Sequence, residues 1–438
     1  MYSAFVTRIK NLRKHSNADR LLCGECFGNT VIVGLDTQPD ELGVYFPVDG
    51  KLGIEFAQKN DLLRRKDENG NPAGGYLDPE KRNIKALKLR GEKSDGLFMP
   101  LSSLAEFTDI SQLKDGDTIT QLNGVTICEK YVPVRKQSAN VGAGNRTRKR
   151  KDPISPLFME HADTEQLPYN LGAFHQGDLV EITLKMHGTS QRTGYLPMLS
   201  GYKRTLLDKL FRRPGTPIYD WGYVTGTRRV VLDTYDGGFY GSNAFREQHA
   251  KMFEGKLHKG ETVYYEVVGF TDDGTPIMAS CDNKKVGDKD FVKQYGKQTV
   301  FSYGCSPDSV DAPKSALYVY RMTMTNEDGD VVEYSPFFMR YRCEQMGVNC
   351  VPLLWSGFVP ENDNPGEWVK GVAECYYDGA DPIGKSHVRE GVVCRIVNRP
   401  KFTAYKHKNF AFKVLEGIVK EVASAPDMEE AQEVTEAA

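Results

Sequence analysis

Apolar and polar residues alternate along this chain in short runs separated by turn residues, and that period of two predicts strands far more often than helices. TVIVGL (30–35), GVYFPV (43–48) and GLFMPL (96–101) are runs of this kind set between Gly, Asp and Asn. NADRLLCGECFGNTVIV (17–33) reads as two strands joined at the Gly28–Asn29 turn signal. Further along, VEITLKM (180–186), YVTGTRRVVL (223–232), TVYYEVVGF (262–270), ALYVYRMTM (316–324) and GVVCRIV (391–397) are predicted strands. Two segments have the longer helical period. NAFREQHAKMFEGKL (243–257) spaces Phe245, Ala250, Met252, Phe253 and Leu257 on a helical pattern. SPFFMRYRCEQMG (335–347) has Ser335 as N-cap, Pro336 at the first helical position and Gly347 after the end. The class is α+β, and no internal repeat is present.

These elements divide the chain. Residues 1–130 form a β-rich module whose short, evenly spaced strands suggest a small barrel. SANVGAGNRTRKRKDPISP (138–156) is rich in Gly, Ser, Asn and basic residues, which marks 131–156 as a flexible basic linker. A larger domain is expected over 157–422, followed by an acidic tail, 423–438, too poor in large apolar groups to fold.

Charge alters this picture locally. The net charge of −2 conceals RTRKRK at 146–151 and a stretch after Ala425 with five acidic residues and no basic one. Net charge therefore does not exclude nucleic acid; a binding surface has to be local. No stretch approaches the ~20 apolar residues of a membrane span, and MYSAFVTRIKNLRK lacks the apolar core of a secretory signal. The nine cysteines are scattered and odd in number, as suits a reducing compartment, so a cytoplasmic location is expected. Cys23 and Cys26 form one CxxC with neither a partner pair nor a nearby His, and read as ordinary half-buried cysteines rather than zinc ligands.

The chemistry-bearing residues lie at strand ends. Lys185 closes an alternating run and is followed by the small, polar sequence His187-Gly188-Thr189-Ser190. Taken alone, such a lysine is a solvated strand end. Glu266 in YYEVVG, Glu390 and Arg395 on either side of Gly-Val-Val, and Lys406 and Lys408 on one strand face change that view. Two carboxylates and several cations on separate strands are costly to gather without an anion or a metal to compensate them.

This order of motifs resembles the covalent nucleotidyltransferases, the superfamily of ATP-dependent RNA and DNA ligases and mRNA capping enzymes. Over about residues 155–412, Lys185-Met-His-Gly resembles the lysine motif, Thr227-Arg228 the Ser-Arg motif, and Glu266 the third. Tyr318-Val-Tyr320 falls where the family stacks the purine, Glu390 in EGVV resembles the fourth motif, and Lys406-His-Lys408 the fifth. His187 in place of aspartate, and EHADTEQL at 160–167, resemble the RNA-ligase branch typified by the nick-sealing phage enzyme. Leu184 departs from the glutamate common in that branch, and the thirty or so residues after the fifth motif leave no room for a C-terminal OB domain. HSNADRL (15–21) and IKALKLRGEKSDGLFMP (84–100) resemble the OB-fold of tRNA-binding domains, and an OB module ahead of the transferase is similar to the Deinococcus-type RNA ligases. OB barrels bind single strands on a basic, aromatic face, and Lys85, Lys88 and Arg90 are read as one alternating strand of such a face.

The resemblance implies an OB-like barrel followed by an ATP-grasp-like nucleotidyltransferase domain of antiparallel sheets and helices. It implies a soluble, monomeric, intracellular ATP-dependent RNA ligase, of the kind phages also encode, that joins 3′-OH to 5′-phosphate ends. Lys185 is the nucleophile that takes AMP from ATP. Lys406, Lys408 and bound Mg²⁺ or Mn²⁺ lower the lysine pKa and neutralise the phosphate. Glu390 and Glu266 hold metal or ribose; Gly188, Arg228, Tyr318 and Tyr320 contact the nucleotide; Ser190 and Arg228 face RNA; His187 acts in the second transfer. A DNA ligase, a GTP-using capping-type enzyme and a non-catalytic RNA-binding protein are the alternatives.

Overall fold

The computed structural model describes residues 2–133 and 152–421, apart from Arg212, Pro214, Asp233, 236–239 and Gly241. Most of the expected linker and the whole acidic tail lie outside the described residues. The chain folds as a mixed α+β protein of mostly antiparallel sheets, in two compact units. The first unit comprises residues 2–133 together with 282–297 and 410–421, and the second comprises 152–281 and 298–409. Among the described residues no helix is long and apolar enough to cross a membrane.

The first unit is built on a four-stranded antiparallel sheet in the order Leu97–Pro100, Leu42–Phe46, Ala4–Arg8, Thr118–Ile119. A three-stranded sheet, Lys10–Lys14, Leu21–Cys26, Asn29–Gly34, continues from it in sequence. Val6, Val44, Phe46, Leu52, Phe56, Leu104 and Ile127 fill the core; fully burying one such side chain stabilises by about 1.5–3 kcal/mol.

Three sequence expectations for this unit are corrected. Cys26 pairs with Asn29, so the hairpin turn is Phe27-Gly28, both at positive φ (53° and 76°), one residue before the predicted pair. Only Ala86–Leu89 is strand in the basic segment; Lys85 precedes it and Arg90, at φ 49°, occupies the turn. Alternation turns Leu87 and Leu89 outward, while Lys88 shares a face with buried Ala86 and is bonded to Asp288 at 2.5 Å. The three cations therefore do not form one strand face.

The third correction concerns the domain boundary. The helix Phe410–Glu421, expected to end the transferase domain, belongs to the first unit, where Phe412 and Leu415 are buried. Lys413 meets Asp95 at 2.7 Å and Lys420 meets Asp49 at 3.0 Å. Asp95 is 6% exposed; Lys413 binds its Oδ2, and among the described residues its Oδ1 has no hydrogen-bond partner. Lys413→Ala is expected to lower the denaturant midpoint by the equivalent of about 3–5 kcal/mol, because it strands a buried carboxylate.

The second unit has two sheets. One has the order Glu165–Gln166, Thr403–Lys408, Gly391–Ile396, Leu179–Lys185, Leu353–Phe358, antiparallel except for its first pair. The other runs Thr216–Gly226, Thr189–Lys203, Glu261–Gly269, Ser315–Thr325, Val331–Glu333, with Asn349–Cys350 parallel to Ser315–Thr325. Val180, Ile182, Val392, Cys394 and Ile396 bury one face of the first sheet. By alternation, Glu181, Thr183 and Lys185 take the other face.

Both helices expected here form. Ala244–Lys251 buries Phe245 and Ala250, and ends before Phe253 and Leu257, which are buried in the turns that follow. Pro336–Met346 is capped by Ser335, whose Oγ accepts the Phe338 N–H at 3.2 Å, and stops at Gly347 with φ 68°.

Candidate active site

Register sets the site. Lys185, Gly391 and Lys408 stand side by side across three antiparallel strands; Thr183, Val393 and Lys406 form the next rung, and Glu181, Arg395 and Ala404 the third. At ~3.4 Å per residue the outer rungs are roughly 14 Å apart. A cavity of about 130 Å³ lies over this ladder, bounded elsewhere by Ser190, Glu266 and Tyr320 of the second sheet and by Met339 and Arg340 of the capped helix.

The reactive end is dense in charge. Lys185 Nζ lies 2.8 Å from Glu390 Oε1, and Lys408 Nζ approaches the same oxygen at 3.5 Å. Glu390 sits at the foot of the Gly391–Ile396 strand and is 2% exposed. His187 Nδ1 faces its other oxygen at 3.7 Å. Lys406 lines the cavity one rung away, while His407, pointing to the opposite face, stacks on Tyr377 at 4.8 Å. The direct partner of Lys185 is thus a carboxylate, not the cations expected from sequence. That carboxylate is placed to accept a proton from Lys185.

The turn after Lys185 is held by its backbone. The Gly188 N–H donates to Glu266 Oε1 at 3.1 Å, and the His187 N–H donates to the Tyr303 hydroxyl at 2.7 Å. A Cβ at Gly188 would lie 2.4 Å from the Val267 carbonyl oxygen, so only glycine fits this approach. Glu266, 8% exposed, pairs in register with Ser190 on one side and Tyr318 on the other.

The two tyrosines separate. A bulge makes Tyr320 the extra residue opposite Tyr264-Tyr265; it lines the cavity, its hydroxyl 3.0 Å from Ser190 Oγ. Tyr318 is buried away from the lining. Thr227-Arg228 follow the end of the Thr216–Gly226 strand, where Arg228 borders the cavity and pairs with Asp163. Lys85, Lys88 and Arg90 belong to the first unit, outside this constellation.

Further charged and aromatic groups stand in and behind the lining. Glu333 binds Arg321 and also meets Arg395 at 3.6 Å, and both guanidiniums lie over the Phe402 ring, at 4.8 and 4.9 Å. His161 packs on Tyr320 and Phe402 with Arg321 at 3.3 Å. Burial first, and then the surrounding arginines, hold its pKa well below the ordinary value, so it is neutral. Glu181 binds Arg340 through two bonds, at 2.7 and 2.8 Å. The strand period places Glu181 on the same face as Lys185, but nothing local identifies Arg340, which arrives from 159 residues away. Cys23 and Cys26, three apart on one strand, face opposite sides, and burial pushes the Cys26 thiol up to about 12.

No family model matches the sequence, and a search of curated proteins found no match. Solved structures do match. An RNA ligase mutant of Naegleria gruberi, with AMP and Mn, superposes with a TM-score of 0.55 over 94% of this chain and 97% of its own, at 16% identity. The same organism's RNA ligase with PPi gives 0.55 over 93% and 97%, at 17% identity. A further mutant, with ATP and Mn, gives 0.55 over 94% and 97%, at 16%. The chain has the fold of these RNA ligases along nearly its whole length.

Proposed function

We propose that this protein is an ATP-dependent RNA ligase that joins 3′-OH and 5′-phosphate RNA ends through a lysyl-AMP intermediate on Lys185. The observation that carries the reading is the Lys185–Glu390 pair beside the cavity that Lys185 and Lys406 line, with Lys408 on the same carboxylate. In the first transfer the Lys185 ammonium gives up a proton, for which Glu390, at 2.8 Å, is a placed acceptor. The amine then forms a P–N bond to the α-phosphorus while pyrophosphate leaves. In the second, an oxygen of the RNA 5′-phosphate takes the AMP and Lys185 departs. In the third, the 3′-OH attacks that 5′-phosphate and AMP leaves. Lys406 and Lys408 stabilise the charge that gathers on the transferring phosphate. Tyr320 stacks the base, Arg228 exchanges Asp163 for a phosphate, and Ser190 contacts RNA.

A divalent cation, Mg²⁺ or Mn²⁺, fits the donor set. Among the described residues Glu390 Oε2 is buried without a hydrogen-bond partner, and Glu266 is the second carboxylate. Among the described residues no three His, Cys, Asp or Glu side chains form a cage, which accords with a metal that uses one or two carboxylates and keeps its waters. Bound there, the metal supplies charge neutralisation to the phosphates. The first unit is read as an OB-like module that holds RNA, with Arg90 on an exposed turn as its first candidate contact.

His187 is assigned to the second transfer, since imidazole can contact phosphate and donate a proton where aspartate would repel it. His187→Ala is expected to keep lysyl-AMP formation while AMP transfer to 5′-phosphate RNA falls by about 10²-fold or more. The mutant should still seal RNA supplied already adenylated. Normal AMP transfer would remove His187 from the chemistry.

A further inference from the structure

Tyr303 is an odd residue to find where it is. It is 2% exposed, yet its backbone is in the left-handed region at φ 49°, a conformation unfavourable for a bulky side chain and retained only where the surroundings enforce it. Those surroundings are the loop leading to Glu390. Ser302 Oγ lies 3.0 Å from Ser386 Oγ, and the Tyr303 ring meets the fully buried His387 edge-on, with centroids 4.5 Å apart. The backbone of Gly384 is so close that a Cβ there would stand 2.5 Å from the Gly304 nitrogen. The turn that carries Tyr303 and the loop that carries Glu390 are therefore fastened together by side chains and by backbone.

From this base the Tyr303 hydroxyl reaches the turn after Lys185 and accepts the His187 N–H at 2.7 Å. Phe301, two residues earlier, meets the His187 imidazole edge-on at 4.5 Å and His387 at 5.2 Å. The imidazole is thus fixed between an aromatic edge and the Glu390 carboxylate. Burial, and then the Glu390 carboxylate, push the Tyr303 hydroxyl well above its ordinary pKa, so it stays a neutral phenol and a constant acceptor.

We infer that Tyr303 is a positioning residue: its hydroxyl anchors the backbone of His187 to the Glu390 loop and so holds the imidazole in the orientation that AMP transfer to RNA requires. The inference rests on the reading above for the step it affects, though the anchoring itself does not. Tyr303→Phe retains the ring and its packing and removes only the acceptor.

The test is a double-mutant cycle with His187→Ala, using α-labelled ATP, 5′-phosphate RNA and Mg²⁺. Tyr303→Phe should slow AMP transfer from the protein to RNA by about tenfold, the value of one hydrogen bond, while lysyl-AMP formation changes much less. In the His187→Ala background it should cause no further loss in transfer. An equal loss in both backgrounds, equal loss in both steps, or no loss would overturn the inference. Amide exchange at His187 gives a readout independent of activity: Tyr303→Phe should expose that amide, and unchanged protection would also overturn it. Failure of the wild-type protein to form any adduct would defeat the ligase reading, and the exchange result would still decide the anchoring.

Discussion

Lys185→Ala should abolish the acid-stable protein–AMP adduct formed with α-labelled ATP and a divalent metal. Lys185 sits at the strand end 2.8 Å from Glu390 with the His187-Gly188 turn behind it. Lys406 and Lys408 lie on the adjacent strand, and Lys408 reaches the same carboxylate only at 3.5 Å. Covalent catalysis that loses its nucleophile has no partial substitute here, so the expected loss is at least about 10³-fold. Gel autoradiography of wild-type and mutant protein measures it. Persistence of the label in the mutant would assign the nucleophile to another side chain.

Glu390→Gln is expected to have the next largest effect. The amide fills the same volume but carries no charge, which leaves the Lys185 and Lys408 ammonium groups, with side chains 22% and 11% exposed, without the carboxylate between them. It also removes the carboxylate placed to accept the Lys185 proton and one of two candidate metal ligands. The loss in adduct formation should be about 10²–10³-fold, and raising Mg²⁺ or Mn²⁺ should not restore it. A rate within threefold of wild type, read in the same assay, would detach Glu390 from the chemistry.

Much of the candidate site's geometry was legible because its residues stand on or beside strands whose period is two. Lys185 and Lys408 end strands, Glu390 immediately precedes one, and Glu266 and Lys406 lie within strands, all placed by the alternating pattern, as the capped helix is by Ser335, Pro336 and Gly347. Long-range pairings were not legible. Arg340 reaching Glu181, and Tyr303 reaching His187 across 116 residues, leave no local trace. The bulge that separates Tyr320 from Tyr318 is a matter of cross-strand register, not of either residue's type. The basic strand at 85–90 was misread because alternation was applied past the strand's end, where Arg90 turns the chain.

The domain boundary was misplaced for a related reason. Apolar periodicity shows that Phe410–Glu421 is amphipathic but not which core it covers. Because the first unit includes this helix and residues 282–297, removing residues 1–130 would leave Phe412, Leu415 and Lys413 without the surfaces that bury and pair them. Point substitutions such as Arg90→Glu therefore test RNA binding by that unit more cleanly than truncation.

The most direct measurement of the central claim is sealing of a nicked duplex whose downstream RNA strand carries a labelled 5′-phosphate, with ATP and Mg²⁺. The account predicts a longer strand in which the label resists phosphatase, absent when the upstream strand lacks its 3′-OH or when Lys185→Ala replaces the wild type. An adduct that forms on Lys185 while the label stays phosphatase-sensitive, on nicked and single-stranded RNA alike, would contradict it.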